Sequence, residues 1–195
     1  MWRRGALIFL CGLFVQSCGG ETQPPAKEGL MAVSDIAARR AQFVVKPLTA
    51  DVSHLSDGDR AALNHRVSAA EVVDEVFKLQ AWAGNPEFAE KVAAFEGTDA
   101  QAVKDYYRIM YGPWDRLIHF EPFLGDRPHP GGAGYYPEDM TRDEFEVWLE
   151  EHPEDRDAFT SLFTIIRRTD DGLTAVPYSQ AYSQYLEVIA SELRA

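Results

Sequence analysis

The stretch from Tyr106 to Trp148 interleaves aromatics, charges and backbone breakers with no sustained helical or strand period. It opens Tyr106-Tyr107-Arg108-Ile109-Met110-Tyr111-Gly112-Pro113-Trp114-Asp115-Arg116. A Gly/Pro-rich connection leads to Tyr135-Tyr136-Pro137-Glu138-Asp139-Met140-Thr141. Gly112-Pro113 ends any helix before it, and Thr141 is placed to start the next one. The chain must therefore fold as two helical patterns joined by a long structured loop. A loop this long is normally functional or disordered, and its aromatic density argues against disorder. Aromatic and charged side chains on such a loop suit the wall of a binding cleft. The candidates for cleft or ligand contact are Tyr107, Arg108, Trp114, Asp115, Arg116, Tyr135, Tyr136 and Glu138. The competing reading is that the aromatics cap a core which the loop crosses.

At 195 residues and 46% hydrophobic, the chain can bury one core of useful size. Its formal charge of -12 repels a phosphate backbone, so nucleic acid is not an expected partner. The two cysteines, Cys11 and Cys18, both lie near the N-terminus. The rest of the chain offers no disulfide, no thiol nucleophile and no thiolate metal ligand.

Residues 1–17 have the layout of a secretory signal. Arg3-Arg4 precedes an apolar run from Ala6 to Val15, which is too short to span a bilayer. The run ends in Val15-Gln16-Ser17-Cys18-Gly19, which resembles the lipobox of bacterial lipoproteins. That resemblance implies cleavage before Cys18 and lipid attachment to its thiol. It also implies a place in the bacterial cell envelope, on the outer membrane facing the periplasm. Loss of Arg3 and Arg4 would leave 17 basic against 31 acidic residues. Residues 18–32 then read as a polar, Pro-containing tether, and residues 33–195 as the folded domain.

Within that domain the expectation is a mainly α fold, a helical domain with one short β-hairpin. Residues 33–40 suit a short helix and 43–48 an extended segment. Ser56 should cap a helix over about 57–83, with Leu63, Val67, Ala70, Val73 or Asp74, and Phe77 recurring at helical spacing. Asn85-Pro86 predicts a second start with Asn85 as cap and Phe88, Val92 and Phe95 inward. Thr98-Asp99-Ala100-Gln101 and Thr141-Arg142-Asp143-Glu144 both match the capping box. Val103, Tyr106, Tyr107 and Met110 belong to the helix that the first box opens. Phe145, Trp148 and Leu149 belong to the second. The β-branched run Phe163–Ile166, the turn Asp170-Asp171-Gly172 and the extended run 173–178 predict the hairpin. A last helix should run from Tyr178 or Ser179 to Arg194, with Tyr182, Tyr185, Leu186 and Ile189 on one face. No Gly, Pro or polar tail closes it.

The local chemistry is incomplete. The five histidines, His54, His65, His119, His129 and His152, include no pair four residues apart on one helix, the usual zinc spacing. His54 and His65 would stand roughly 16 Å apart along a helix. His119, Glu121, Asp126 and His129 read as a chance cluster, and Glu71, Asp74 and Glu75 as a solvated face. No G-x-S-x-G, Walker or Rossmann pattern occurs, and Gly131-Gly132-Ala133-Gly134 follows no strand. No catalytic and no metal-binding residue is assigned.

Taken in order, several strings resemble the N-terminal portion of bacterial dipeptidyl peptidase III-like zinc hydrolases. They are Gln80-Ala81-Trp82-Ala83-Gly84-Asn85-Pro86, Gly112-Pro113-Trp114-Asp115-Arg116-Leu117, Tyr136-Pro137-Glu138-Asp139-Met140-Thr141, Phe163-Thr164-Ile165-Ile166-Arg167-Arg168 and Val176-Pro177-Tyr178-Ser179. The resemblance covers about 56–195, and relatives of this sort also occur fused to Nudix domains. It implies part of a two-lobed zinc peptidase with a wide cleft for short peptides. The zinc motif that it implies, a helical H-E-x-x-G-H or H-E-x-x-x-H with a further Glu, lies downstream of the matched region and is absent here. The expectation is a non-catalytic N-terminal part that needs a C-terminal catalytic segment, with zinc in the full-length protein only. The alternative is a stand-alone acidic envelope lipoprotein that binds a partner or ligand through its aromatic loop.

Overall fold

The computed structural model describes residues 30–195, so the signal, the lipobox with Cys18 and most of the tether lie outside the described residues. About half of what is described is helical, and two small antiparallel hairpins complete it. The mainly α expectation therefore holds, with two hairpins where one was predicted.

The first half is built on α1 (Ile36–Ala41), α3 (Asn85–Ala93) and α4 (Ala100–Met110). Ile36, Val92, Val103, Tyr106 and Met110 from these helices close over Phe123 and Leu124 of the connecting loop. Burying a side chain such as Phe123 fully stabilises by about 1.5–3 kcal/mol. Leu30 and Ala32, counted with the tether on sequence, pack against this core, whereas the Met31 side chain is exposed. Ala32 pairs with Leu124, and Gly125 N–H donates to the Met31 carbonyl at 2.8 Å.

α2 (Asp57–Ala81) starts at the predicted cap. Ser56 Oγ accepts from Asp59 N–H, and the Asp59 carboxylate accepts from Ser56 N–H. Its inward stripe is not the predicted one. Ala69 is buried and Ser68, Val72, Val76 and Leu79 are half-buried, whereas Leu63, Val67, Val73 and Phe77 are 40–51% exposed. The helix carries two apolar stripes, and the docking of α8 (Ser183–Arg194) decides which is covered. The two helices run antiparallel, with His65 Nδ1 2.8 Å from Glu192 Oε2 near one end.

Two predicted caps did not form. Asn85 is the first residue of α3, and its side chain caps nothing because it is drawn into the interior. At α4, Asp99 holds the cap position without a side-chain bond, and Gln101 instead donates to Asp105 in the next turn. The box at α5 (Arg142–Glu151) is half-formed. Thr141 Oγ1 accepts from Glu144 N–H, but the Glu144 carboxylate is taken by Arg168.

The loop after α4 folds back as β1 (Trp114–Asp115) against β2 (Glu121–Pro122). Tyr111, His119 and Phe120 accept positive φ values of 53°, 49° and 60° to make these turns. The loop then docks on α2 through Gly134. Its N–H donates to the Gln80 carbonyl at 2.9 Å, and a β-carbon there would lie 2.0 Å from the Leu79 carbonyl. The glycine-rich run is thus a packing contact.

The second half stacks α5 and the short α6 (Arg156–Phe159) on the predicted hairpin, β3 (Thr164–Thr169) with β4 (Gly172–Pro177). Leu149, Phe159, Ile166 and Leu173 form its core, flanked by Tyr136, Phe145 and Trp148. The last predicted helix is two helices, α7 (Tyr178–Ala181) and α8, broken at Tyr182.

Candidate functional site

The eight candidate residues do not converge on one point. They divide among a buried carboxylate, an aromatic brace, an open pocket and the seam between the halves.

Asp115 is 1% exposed. One carboxylate oxygen accepts from Tyr106 Oη at 2.8 Å and from Arg39 Nη1 at 2.9 Å, and the other accepts from Leu117 N–H at 2.9 Å. Burial alone would raise its pKa, but the bonds from Tyr106, Leu117 and Arg39 outweigh it and hold the carboxyl below the usual range. Burial and the bond to this carboxylate push the Tyr106 phenol up. Asp115 therefore ties α1, α4 and the loop together from inside.

Trp114, Arg116 and Glu138 brace the loop. Trp114 is buried, donates from Nε1 to the Arg127 carbonyl at 2.7 Å and meets Trp82 edge-to-face at 5.0 Å. Glu138 accepts from Trp82 Nε1 at 2.5 Å and pairs with Arg127, whose guanidinium lies over the Trp82 ring. Arg116 is exposed, donates from Nε to the Met110 carbonyl at 2.7 Å and lies over Phe77 and Phe120.

Tyr107 and Arg108 line the open pocket, a cavity of about 330 Å³ between α2, α3, α4 and Tyr185 of α8. Its walls are chiefly apolar surface. Asn85 organises them. Its amide donates to the carbonyls of Lys78 at 2.8 Å and Tyr111 at 3.1 Å, and its Oδ1 accepts from Tyr107 Oη at 2.9 Å. Tyr111 donates to Asp74 at 2.6 Å from the left-handed residue that ends α4. Lys78 holds Glu75 at 2.6 Å, and that bond pushes its ammonium up. Burial pushes the Tyr107 phenol up to about 12, so it stays a neutral donor at any physiological pH. The result is a concave surface with fixed polar groups among apolar ones, the usual make-up of a site for a small molecule or an extended peptide. Sequence reasoning missed Asn85, Lys78 and Tyr111. The Asn-Pro start of α3 was the available signal, but it read as an ordinary cap.

Tyr135 and Tyr136 sit at the seam. Ile166 N–H donates to the Tyr135 carbonyl at 2.8 Å, and Tyr136 packs edge-to-face on Phe145. His129, from the cluster set aside as chance, packs against Trp114 and Phe120.

Among the described residues no three His, Cys, Asp or Glu side chains gather as a metal site. The residues present here do not fit the zinc centre that the sequence resemblance implies. No described helix is long and apolar enough to cross a membrane.

No family model matches the chain. Its fold is similar to that of DPP III from Caldithrix abyssi, with a TM-score of 0.77 and 43% identity. That match covers 80% of this chain and 30% of the other. Dipeptidyl-peptidase III from Corallococcus sp. strain EGB is similar with a TM-score of 0.78 and 33% identity, over 85% of this chain and 31% of the other. Among curated proteins, Nudix hydrolase 3 of Arabidopsis thaliana is 26% identical over 192 residues, covering 72% of this chain and 25% of that protein. The chain thus spans under a third of the length of each of these relatives, and its fold resembles part of dipeptidyl peptidase III.

Proposed function

We propose that this chain forms part of the N-terminal lobe of a peptidase of the dipeptidyl peptidase III kind, supplying a wall of the peptide cleft and no zinc ligand. The observation that carries the reading is agreement in fold and sequence together, 43% identity at a TM-score of 0.77 over 80% of the chain. The open pocket is the surface best suited to the role. Tyr107, Tyr111 and Tyr185 offer flat apolar contact; Asn85 holds the Tyr107 ring in advance and Asp74 holds the Tyr111 ring. Arg108, with its side chain 77% exposed at the rim and only a long 3.8 Å approach to Asp105, can swing to meet a peptide carbonyl or carboxylate. In this reading the zinc and the residues that cleave the peptide bond belong to another part of a longer polypeptide. This chain binds and orients. The resemblance of Val15-Gln16-Ser17-Cys18-Gly19 to a lipobox separately supports a place in the bacterial envelope, lipid-anchored through Cys18 and facing the periplasm.

The test begins with the native polypeptide. An antibody raised to residues 141–195 should detect a species several-fold heavier than the encoded 21.9 kDa. In that species Arg108→Ala should raise KM for dipeptide release more than it lowers kcat, because a cleft-wall contact serves binding. Cys18→Ala should move it from the membrane fraction to the soluble one. A native band at the encoded mass with no dipeptide release overturns the peptidase reading. It would turn attention to a ligand of the aromatic loop instead.

A further inference from the structure

The seam between the two halves holds a second cavity, of about 310 Å³, that the peptide-cleft reading does not use. Leu79 and Ala83 wall it from the α2 side, Ile165 and Val176 from the hairpin, and Ala181 from α7. Two polar side chains, Arg167 and Tyr182, complete the lining.

Both of these need an acceptor. Tyr182 is 4% exposed, and its hydroxyl has no hydrogen-bond partner among the described residues. The Gln80 side chain approaches it, but not in hydrogen-bonding geometry. An orphaned buried hydroxyl is uncommon, because it keeps the cost of leaving water. Arg167 is half-buried. It donates only to backbone carbonyls, those of Ile166 at 2.7 Å, Gly134 at 3.0 Å and Tyr135 at a long 3.4 Å. No described carboxylate pairs with it, so its charge is poorly compensated where water is partly excluded.

The neighbouring residue shows the contrast. Arg168 points to the other face of β3 and holds Asp139 and Glu144 together. One strand thus carries a fully paired arginine outward and an arginine without a counter-ion inward, toward an apolar cavity.

A carboxylate can accept from a guanidinium and a phenol at once, and it also neutralises the guanidinium charge. The five aliphatic walls suit a short hydrocarbon body and offer nothing to a sugar or a nucleotide. We propose that this cavity binds a carboxylate carried on a short aliphatic body, with Arg167 as counter-ion and the Tyr182 hydroxyl as second donor. The inference is independent of the peptidase reading, since it uses neither the open pocket nor a catalytic segment.

The test is calorimetric titration of the full chain, in detergent, with 3-methylbutanoate at pH 7. Its neutral isostere, 3-methylbutanamide, is the control. The acid should bind saturably at one site and the amide at least about tenfold more weakly, since only the acid brings the charge that Arg167 lacks. Tyr182→Phe should weaken acid binding by about tenfold, the loss of one hydrogen bond to a charged group. It should leave the Tm of the ligand-free protein unchanged or higher, because the hydroxyl that it removes has no partner. Arg167→Met should abolish binding, but Arg167 also ties the 134–135 loop, so Tyr182→Phe is the deciding variant. Equal binding of acid and amide overturns the proposal, as does no saturation by the acid at any soluble concentration. A Tm lowered by Tyr182→Phe also overturns it, by showing that the hydroxyl is satisfied within the chain.

Discussion

Asn85 shows how much one buried polar side chain can organise. It is 4% exposed and reaches carbonyls at the ends of two helices and a phenol on one of them. Removing it strands the Tyr111 carbonyl and takes one bond each from the Lys78 carbonyl, which keeps Trp82 N–H, and from the Tyr107 hydroxyl, which keeps the Asn85 carbonyl. Asn85→Ala is therefore expected to cost about 1–3 kcal/mol in chemical denaturation, more than a surface substitution would. Asp115 makes a prediction in pH. Its folded pKa is depressed, so the unfolded chain binds the proton more readily. The stability it contributes is present above the unfolded value of about 3.9 and is lost as pH falls through the folded one. Asp74 and Asp105 are also depressed and act in the same direction. Tm should hold steady from pH 5 to 8 and fall below about 4, and Asp115→Asn should flatten that acid limb. Tyr107 has the opposite sign. Its pKa is raised to about 12, so its share is complete below the unfolded value of about 10 and fades between about 10 and 12.

Elements in this chain are placed by small contacts as much as by periodicity. The two halves meet where the 131–134 loop lies flat against the end of α2, and only Gly134 permits that approach. Gly134→Ala should displace the loop and cost about 1–3 kcal/mol, as overpacking does. Loss of tryptophan fluorescence structure at lower denaturant would show it. The hairpin was legible beforehand because its signals are local: β-branched residues, then a two-residue Asp-Asp turn closed by Gly172 at φ 126°. The Ser56 cap was legible for the same reason. The α3 and α4 starts were misread because Asn85 and Gln101 had better partners in space than along the chain.

Across the whole molecule, α2 leaves Leu63, Val67, Val73 and Phe77 at least 40% exposed along one side. A continuous apolar stripe of this kind marks a surface that another body covers. The 195-residue chain should self-associate and bind a hydrophobic dye. Val67→Glu should reduce both without lowering Tm, because Val67 is 51% exposed and supports no core. A monomeric chain that binds no dye would remove the stripe from consideration. The candidate site was legible only in pieces. Tyr107 and Arg108 do line a pocket, but Trp114, Asp115 and Glu138 are committed to bracing the loop. The sequence announces an aromatic residue equally whether it is a wall or a strut.

What the sequence determined by itself was whatever neighbours along the chain can settle. That includes the mainly helical class, the Ser56 cap, the stop at Gly112-Pro113 and the hairpin with its turn. Hydrogen bonds across three or four residues and the φ preferences of Gly and Pro act before any tertiary contact forms. Tertiary structure decided which stripe of α2 is covered, where the Asn85 and Asp115 side chains point, and that Arg167 and Tyr182 share one cavity. Those outcomes depend on which distant group supplies a partner, across 26 residues for Asn85 and Tyr111 and 76 for Arg39 and Asp115. A buried polar group takes the partner that the fold delivers, and no local pattern encodes that partner.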